Sequence, residues 1–353
     1  MSEAQQEQSF PLLGPVITIM SSTFRHSKSK NRTLKVALSI AVWLTMLVAL
    51  LHYTIYGRLV RPKEPTIHDN THQHEPSRSL LPRKIWQIYL APPNADKSSF
   101  EIDAEQVADA ASWVARNPDY EYVLMGDKGA EEFIQQNFKK GSTLSTILRE
   151  LKNTGIKSDL LRYLILSIKG GVYSDIDTEA LKPIDRWVPE MHRKAARAVV
   201  GVEFDRLDGS DWGEVHPDLQ FCQWTIAAAP GHALFRYMAG FVVSALEAFV
   251  REHNTTFAAL EATSSDVMKL TGPTAWTDAV FQQLQRHQPE LTSVRDLSGL
   301  TEPKLFGDVL VLPIDGFGMG QLHSNSTNDG SVPEGALVRH KFRGSWRFDG
   351  SSR

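Results

Sequence analysis

The chain has 353 residues, 42% of them hydrophobic, and a formal net charge of −3 at pH 7. This length allows a sizeable hydrophobic core in one large domain or two, whereas the near-neutral charge gives no support to nucleic acid as a partner. Cys222 is the only cysteine, which excludes an intrachain disulfide.

The N-terminal part of the chain has the composition of a membrane-tethered protein. Residues 1–35 are polar and basic towards their end, which predicts a disordered tail. Residues 36–56 contain no Asp, Glu, Lys or Arg, and at about 1.5 Å per residue they span about 31 Å, enough to cross a hydrocarbon core. More basic residues precede this segment than follow it, so we expect a single-pass type II signal anchor with residues 1–35 in the cytoplasm. Residues 57–81, rich in Pro, Ser, Thr and His, are predicted to form a luminal stem.

Strand and helix patterns alternate after the stem. The first predicted elements are a strand at 84–90, a helix at 103–116, a strand at 120–125 and helices near 131–138 and 144–152. In the first helix, an apolar face of Val107, Ala110, Ala111 and Val114 is predicted to pack on the core. This alternation predicts an α/β domain with a mostly parallel central sheet and helices on both faces.

The most informative stretch is residues 158–178, SDLLRYLILSIKGGVYSDIDT. Ser158 is a suitable N-cap for a helix of apolar residues at helical spacing. Gly170-Gly171 ends that helix, because glycine adopts left-handed backbone geometry without strain. Residues 172–176 then predict a short buried strand that delivers Asp175 and Asp177 to the edge of the sheet, where ligands bind in α/β folds.

Carboxylates at this spacing suit a hard divalent cation such as Mg²⁺ or Mn²⁺, with coordination positions left for phosphate oxygens. A lone Asp-x-Asp is a weak motif, and a solvated turn is the alternative interpretation. Asp159 and Arg162 lie at i and i+3 on the preceding helix, so they either serve this edge of the sheet or pair with each other on the surface.

The later part of the chain continues the alternation. Strands are predicted at 198–202, 221–229 and 308–312, and a long helix at 232–251. Glu203 and Asp205 follow the first of these strands, and Asp278 lies in a helix that opens at 271–273. Each of these acids either faces an acceptor hydroxyl or has a purely local role in a loop or at a helix N-terminus.

These pieces resemble glycosyltransferase family 32, the family of the fungal initiation-specific α-1,6-mannosyltransferases of the Golgi. The resemblance is carried by Asp159, Arg162, Tyr163, the glycine pair with Val172-Tyr173, and Asp175-Ile176-Asp177, a layout also found in the large clostridial glucosyltransferase toxins. Five other segments match and occur in the family's order. They are PRKIWQIY from Pro82, NPDYEYVLMGD from Asn117, TGPTAWTDAVF from Thr271, GDVLVLPIDGFG from Gly307 and RHKFRGSWR from Arg339.

The resemblance implies a single catalytic domain at 82–347 with a GT-A-like nucleotide-sugar fold, followed by a short tail at 348–353. It implies GDP-mannose as donor and Mn²⁺ (or Mg²⁺) as cofactor. The implied catalytic residues are Asp175, Asp177 and Arg162, and the implied metal ligands are Asp175, Asp177 and His340. Implied donor contacts come from Ile85, Trp86, Gln87, Asp159, Arg162, Tyr163, Tyr173, Asp175, Ser345 and Trp346, whereas Glu203, Asp205 and Asp278 are acceptor candidates on position alone.

The expected function is therefore retaining, metal-dependent transfer of mannose from GDP-mannose to an N-linked glycan, in α-1,6 linkage, by a type II protein of the Golgi membrane. Other mannosyltransferase subunits are expected as possible partners. Three alternatives stay open: a mannosyltransferase acting on inositol-phosphoryl sphingolipid, a non-catalytic subunit of a transferase complex, and a phosphatase. The phosphatase arises because DIDT after an apolar strand also resembles the start of haloacid-dehalogenase phosphatases.

Overall fold

A computed structural model describes residues 79–92, 102–209, 218–322 and 324–343. The predicted cytoplasmic tail, the anchor at 36–56, most of the stem, the tail at 348–353, and Ser345 and Trp346 lie outside the described residues. The predictions made for them stay predictions.

The described elements follow the predicted order. The strands are β1 (Lys84–Ile88), β2 (Glu121–Met125), β3 (Gly171–Ser174), β4 (Thr178–Ala180), β5 (Ala198–Asp205), β6 (Leu219–Phe221), β7 (Thr225–Ala228), β8 (Lys304–Phe306), β9 (Val309–Leu312) and β10 (Val338–His340). The helices are α1 (Ala104–Arg116), α2 (Asp127–Asn137), α3 (Thr143–Glu150), α4 (Thr154–Ile168), α5 (Ala233–Glu252), α6 (Ser264–Leu270), α7 (Pro273–His287) and α8 (Ile314–Phe317).

The central sheet is mixed. Its strand order is β2-β1-β3-β7-β5-β9-β8, and β6 pairs with β5 outside this path. β1 is parallel to β2 and β3, and β5 is parallel to β9, whereas β7 is antiparallel to both β3 and β5, and β8 to β9. The α/β class is confirmed, but the prediction of a mostly parallel sheet is wrong.

The reason lies in the connection after β5. No described helix separates β5 from the strands that follow it, so the chain runs back alongside β5, first as β6 and then as β7. Neighbouring strands joined without a crossover helix are antiparallel. The single strand predicted at 221–229 is these two short strands with a break at 222–224, and that break places Gln223 and Trp224 at the sheet edge.

Side chains on successive strand positions pack on opposite faces of this sheet. Val172 and Val199 belong to one hydrophobic cluster, with Trp113 of α1, while Tyr173 and Val200 belong to another that includes the buried sides of α4, α5 and α7. This is the period of two expected for strands covered on both faces. The sheet is therefore rigidly held from both sides, which fixes the positions of the residues at its edge.

The predicted core face of α1 is wrong. Val107 and Val114 are 52% and 49% exposed, and the buried residues of the helix are Gln106, Asp109 and Trp113. The Trp113 indole donates to the carbonyl of Thr178 at 3.0 Å, and the Asp109 carboxylate lies 2.7 Å from the Arg343 guanidinium. These polar contacts to the strand and loop beside Asp177 determine which face of α1 is buried. A prediction from hydrophobic periodicity does not include such contacts.

The N-cap of the central helix lies five residues earlier than predicted. Asn153 is the N-cap, its side chain accepting from the Ile156 N–H at 3.0 Å, and Ser158 lies inside α4. Asn and Ser are equally good caps, so the sequence alone does not choose between them. The predicted end is confirmed, since Gly170 and Gly171 follow α4 with φ of 66° and 103°.

Among the described residues, α5 is the one helix that is long and apolar enough to cross a membrane by length and composition. One side of it, including Leu234, Phe235, Met238 and Val242, is buried in the core cluster on that face of the sheet. The helix therefore has a packing role in the domain.

Gly171 is predicted to be intolerant of substitution. A Cβ there would lie 2.5 Å from the backbone oxygen of Lys84, at a φ of 103° that L-residues rarely adopt. We expect Gly171→Ala to lower the free energy of unfolding by about 3 kcal/mol or more. In Gly240→Ala, the matched control within α5, the added methyl meets nothing within 4 Å, so this variant should gain about 0.5–1 kcal/mol. Urea unfolding measures the free energy of unfolding of both variants, and equal changes in the two would contradict the prediction.

Candidate active site

Two pairs of strands bring the predicted metal ligands together at one edge of the sheet. β3 ends at Ser174, and the chain passes through Asp175 and Asp177 before β4 begins at Thr178. β4 pairs antiparallel with β10, so that His340 lies opposite Thr178. The sequence separates His340 from Asp177 by most of the domain, and this small two-stranded sheet places them side by side.

Asp175, Asp177 and His340 form a compact cluster. One ligand atom from each lies within 4.8 Å of the others. The Nε2 of His340 lies 3.0 Å from Oδ1 of Asp177, and the backbone N–H of Arg343 donates to Oδ2 at 2.9 Å. Burial alone would raise the pKa of the Asp177 carboxyl, but the interactions with His340 and the Arg343 N–H outweigh it and lower that pKa. The carboxylate is thus kept ionised, as a metal ligand must be.

The donor set fits a divalent cation. Two carboxylates suit both Mg²⁺ and Mn²⁺, the imidazole favours a transition-metal ion such as Mn²⁺ over Mg²⁺, and three protein ligands leave positions for phosphate oxygens. Within the described residues, Nδ1 of His340 is buried without a hydrogen-bond partner. In the described part of the chain, the hydrogen bond between Nε2 and Asp177 is therefore the one side-chain hydrogen bond of this imidazole.

Asp175 is held by both its side chain and its backbone. Its Oδ1 accepts from the Tyr173 hydroxyl at 2.6 Å and lies 3.2 Å from Nη2 of Arg162. Its backbone N–H donates to the carbonyl of Trp224 at 2.8 Å, and its own carbonyl accepts from the Gln87 amide at 2.9 Å. The Asp175 side chain is 25% exposed, so it is the more accessible of the two acids that contact Arg162.

Asp159 and Arg162 do pair with each other, at 3.1 Å, but not on the surface. Each side chain is only 6% exposed, which rules out the interpretation as a solvated surface pair. The guanidinium also donates to the carbonyl of Gln223 at 3.2 Å and lies 4.6 Å from the centre of the Tyr173 ring. Within the part of the chain that the structure describes, its buried Nε has no acceptor. Burial would lower the pKa of Arg162, but Asp175 and Asp159 raise it, so this residue is a fixed positive charge beside the cluster.

The other side of Asp159 is enclosed by polar groups. Its Oδ2 accepts from the Thr271 hydroxyl at 2.7 Å, and its Oδ1 accepts from the Gln223 amide at 3.3 Å. Tyr163 joins this network through its hydroxyl, which donates to Gln223 Oε1 and contacts the Thr271 carbonyl. Burial, only partly offset by Arg162, raises the pKa of Asp159 to about 6.

Sequence reasoning missed two members of the site, Gln223 and Trp224. Both fall inside the strand predicted at 221–229, and only the break between β6 and β7 exposes their function. The available signal was a polar Gln223 in an otherwise apolar run. Thr271 belongs to a matched segment but was predicted only as a helix start.

The predicted donor contacts from β1 divide into two kinds. Ile85 and Trp86 are 0% and 5% exposed, and the Trp86 indole donates to the carbonyl of Gly170 at 2.9 Å. Both side chains are packed in the core, and the prediction that they contact the donor stays a prediction. Gln87 supports the site, because its amide holds the Asp175 carbonyl.

The three acceptor candidates lie in different surroundings. Glu203 is 7% exposed and accepts from the Trp224 indole at 2.9 Å and the Gln220 amide at 3.0 Å. Asp205 organises a neighbouring loop, accepting from the Ser298 hydroxyl at 2.6 Å and the Gly299 N–H at 2.7 Å. Asp278 is exposed on α7. The structure does not bring these acids into one site, and Glu203 reaches His340 through Trp224.

Comparison with known proteins identifies the family of this chain. The family described as "Glycosyltransferase sugar-binding region containing DXD motif" matches residues 104–194, a range that contains Asp175 and Asp177. An initiation-specific alpha-1,6-mannosyltransferase of Schizosaccharomyces pombe (strain 972 / ATCC 24843) is 35% identical over 287 residues, 79% of this chain and 67% of that protein. One of Candida albicans (strain SC5314 / ATCC MYA-2876) is 30% identical over 291 residues, 76% of this chain and 73% of that protein. Among solved structures, PaToxG Glycosyltransferase is 20% identical with a TM-score of 0.37, over 64% of this chain and 81% of that one.

The chain is therefore a glycosyltransferase of the DXD-containing sugar-binding family, and as such a hexosyltransferase. Within that class it belongs to the family of the fungal initiation-specific α-1,6-mannosyltransferases. The assignment depends on sequence identity over most of both chains.

The raised pKa of Asp159 predicts a pH-dependent stability. Its folded-state pKa of about 6 lies above the ordinary 3.8, so this group's contribution is fully present below pH 3.8 and is lost as the pH rises through 6. Asn cannot ionise. Between pH 4 and 7 the free energy of unfolding of Asp159→Asn, relative to the parent, should rise by up to about 3 kcal/mol. Chemical unfolding across this pH range measures the trend. Asp119→Asn, at a carboxylate whose side chain is 76% exposed, is the surface control, and a trend no larger than this control's would contradict the prediction.

Proposed function

We propose that this protein transfers mannose from GDP-mannose to an N-linked glycan, forming an α-1,6 linkage with retention of the anomeric configuration. The observation that carries the proposal is the convergence of Asp175, Asp177 and His340 beside the buried Asp159–Arg162 pair. The names of the relatives in two fungi support mannose as the sugar and the 1,6 position as the linkage. The proposal includes a GT-A-like arrangement of the domain, and a type II location in the Golgi membrane through the segment at 36–56.

The chemistry of the leaving group explains the charge distribution of the site. Departure of a nucleoside diphosphate places negative charge on phosphate oxygens in the transition state, and preorganised positive groups stabilise it. A divalent cation, Mn²⁺ or Mg²⁺, held by Asp175, Asp177 and His340 would supply Lewis-acid stabilisation of that charge.

The chain's own groups orient the donor. Arg162 is locked between Asp159 and Asp175, so its planar guanidinium holds a positive charge at a fixed position beside the cluster. Asp175, one quarter exposed, can accept a hydrogen bond from a sugar hydroxyl. Asp159 is nearly enclosed, and its main role is to hold Arg162 and Gln223.

Substitution of one ligand tests the proposal. The purified full-length chain, with GDP-mannose, Mn²⁺ and a high-mannose N-glycan, should extend the glycan by one mannose. Asp177→Asn keeps the shape of the side chain but removes its charge, and should reduce transfer by about 100-fold or more. Chelation should abolish the parent's activity, and added Mn²⁺ should restore it. The surface control Asp119→Asn should behave as the parent.

Other products would identify the alternatives. Mannose on inositol-phosphoryl sphingolipid, with none on the glycan, would assign the lipid acceptor. Phosphate released from simple esters would favour the phosphatase. Co-purification with other transferases without any turnover would favour a non-catalytic subunit. Undiminished transfer by the chelated enzyme would contradict the metal-dependent mechanism.

A further inference from the structure

We propose that Trp224, anchored by Glu203, is the positioning residue that sets the orientation of His340 and the backbone of Asp175 for cation binding. This inference rests on the proposed function, since it takes Asp175, Asp177 and His340 as ligands of a divalent cation. It concerns Trp224, in the strand break at 222–224, and Glu203, in β5, both outside the Asp-x-Asp segment itself.

The imidazole of His340 is held without a hydrogen bond to its second ring nitrogen in the described part of the chain. A histidine that ligates a metal commonly donates its other ring N–H to a carboxylate or a carbonyl, which fixes the orientation of the imidazole. In the described part of the chain, Nδ1 of His340 is buried and has no such partner. Another interaction has to hold the ring so that Nε2 points at the cluster.

Aromatic packing supplies that interaction. The Trp224 and His340 rings are stacked, with centroids 4.5 Å apart and planes inclined by 24°. Phe342 packs against His340 with centroids 3.9 Å apart, at an angle of 59°. Because His340 is confined between two rings, rotation of its imidazole is limited even without a hydrogen bond to Nδ1.

Trp224 in turn is fixed by a buried acid. Its indole N–H donates to Oε1 of Glu203 at 2.9 Å, and Trp224 is only 4% exposed. The other oxygen of Glu203 accepts from Gln220 at 3.0 Å, so the carboxylate is itself held in place. A buried carboxylate is costly unless it is well hydrogen-bonded, and here its partners include the residue that orients His340.

Trp224 also acts on the second ligand. Its backbone carbonyl accepts the N–H of Asp175 at 2.8 Å. One residue therefore contacts the ring of one predicted ligand and the main chain of another, and a displacement of Trp224 would move both.

The experiment measures Mn²⁺ affinity directly, from the electron paramagnetic resonance signal of free Mn²⁺ in the presence of GDP, with purified full-length protein. Trp224→Ala should weaken binding by about 10- to 100-fold, the range for loss of a supporting group around a metal site. Trp224→Phe keeps an aromatic face but loses the indole N–H, so its loss should be smaller. Glu203→Gln retains an oxygen for the indole, and should retain more affinity than Glu203→Ala.

Two further measurements separate positioning from general damage to the fold. Phe306→Leu alters a buried aromatic residue of the edge strand β8, in the hydrophobic cluster that does not contain Trp224, and should lower stability while leaving Mn²⁺ affinity unchanged. In the Trp224 and Glu203 variants, the Mn²⁺ concentration for half-maximal transfer should rise, and kcat at saturating Mn²⁺ should largely recover.

The Mn²⁺ affinities distinguish a failure of the proposed metal site from a failure of the proposed role of Trp224. Parent protein that binds no Mn²⁺ would overturn the metal site and this inference with it. Parent protein that binds Mn²⁺, together with Trp224→Phe and Glu203→Ala affinities within two-fold of the parent, would overturn this inference alone. If Trp224→Ala fails to fold, those two variants decide the question.

Discussion

The site depends on holding two carboxylates close together at a partly buried sheet edge. Two unit charges 4 Å apart repel each other by about 4 kcal/mol where the effective dielectric constant is 20. The structure offsets this repulsion separately for each acid. Asp175 lies against Arg162 and the Tyr173 hydroxyl, and Asp177 against His340 and the Arg343 N–H. A bound cation would relieve the remaining repulsion, which is the physical reason for a cation to bind there.

The supporting groups come from distant parts of the chain. The pairing of β4 with β10 delivers His340, α4 delivers Arg162, and the break between β6 and β7 delivers Trp224. α1 contributes through Trp113 and Asp109, which contact Thr178 and Arg343 on either side of Asp177. Each element presents a polar group to the site and buries an apolar side in one of the two hydrophobic clusters, so the core determines the geometry of the charges.

Local features of this fold were predictable from sequence, and long-range ones were not. The helix–Gly-Gly–strand unit before Asp175 depends on neighbours in sequence, and its helix end and short buried strand are found, with the strand at 171–174 where 172–176 was predicted. The mixed sheet was missed because strand direction is set by how β5 connects to β7, and the apolar pattern of 221–229 is the same for one strand or two. The buried face of α1 was missed because polar contacts of Asp109 and Trp113 override the valine stripe. His340 was identified only through family resemblance, since nothing local in RHKF indicates its partner across the domain.

Anomalous diffraction from crystals of the protein soaked with Mn²⁺ and GDP tests the central claim most directly. A manganese peak within about 2.5 Å of oxygens of Asp175 and Asp177 and of Nε2 of His340 is the expected result. A manganese peak at another position, or GDP bound with no manganese between its phosphates and these side chains, would contradict the account.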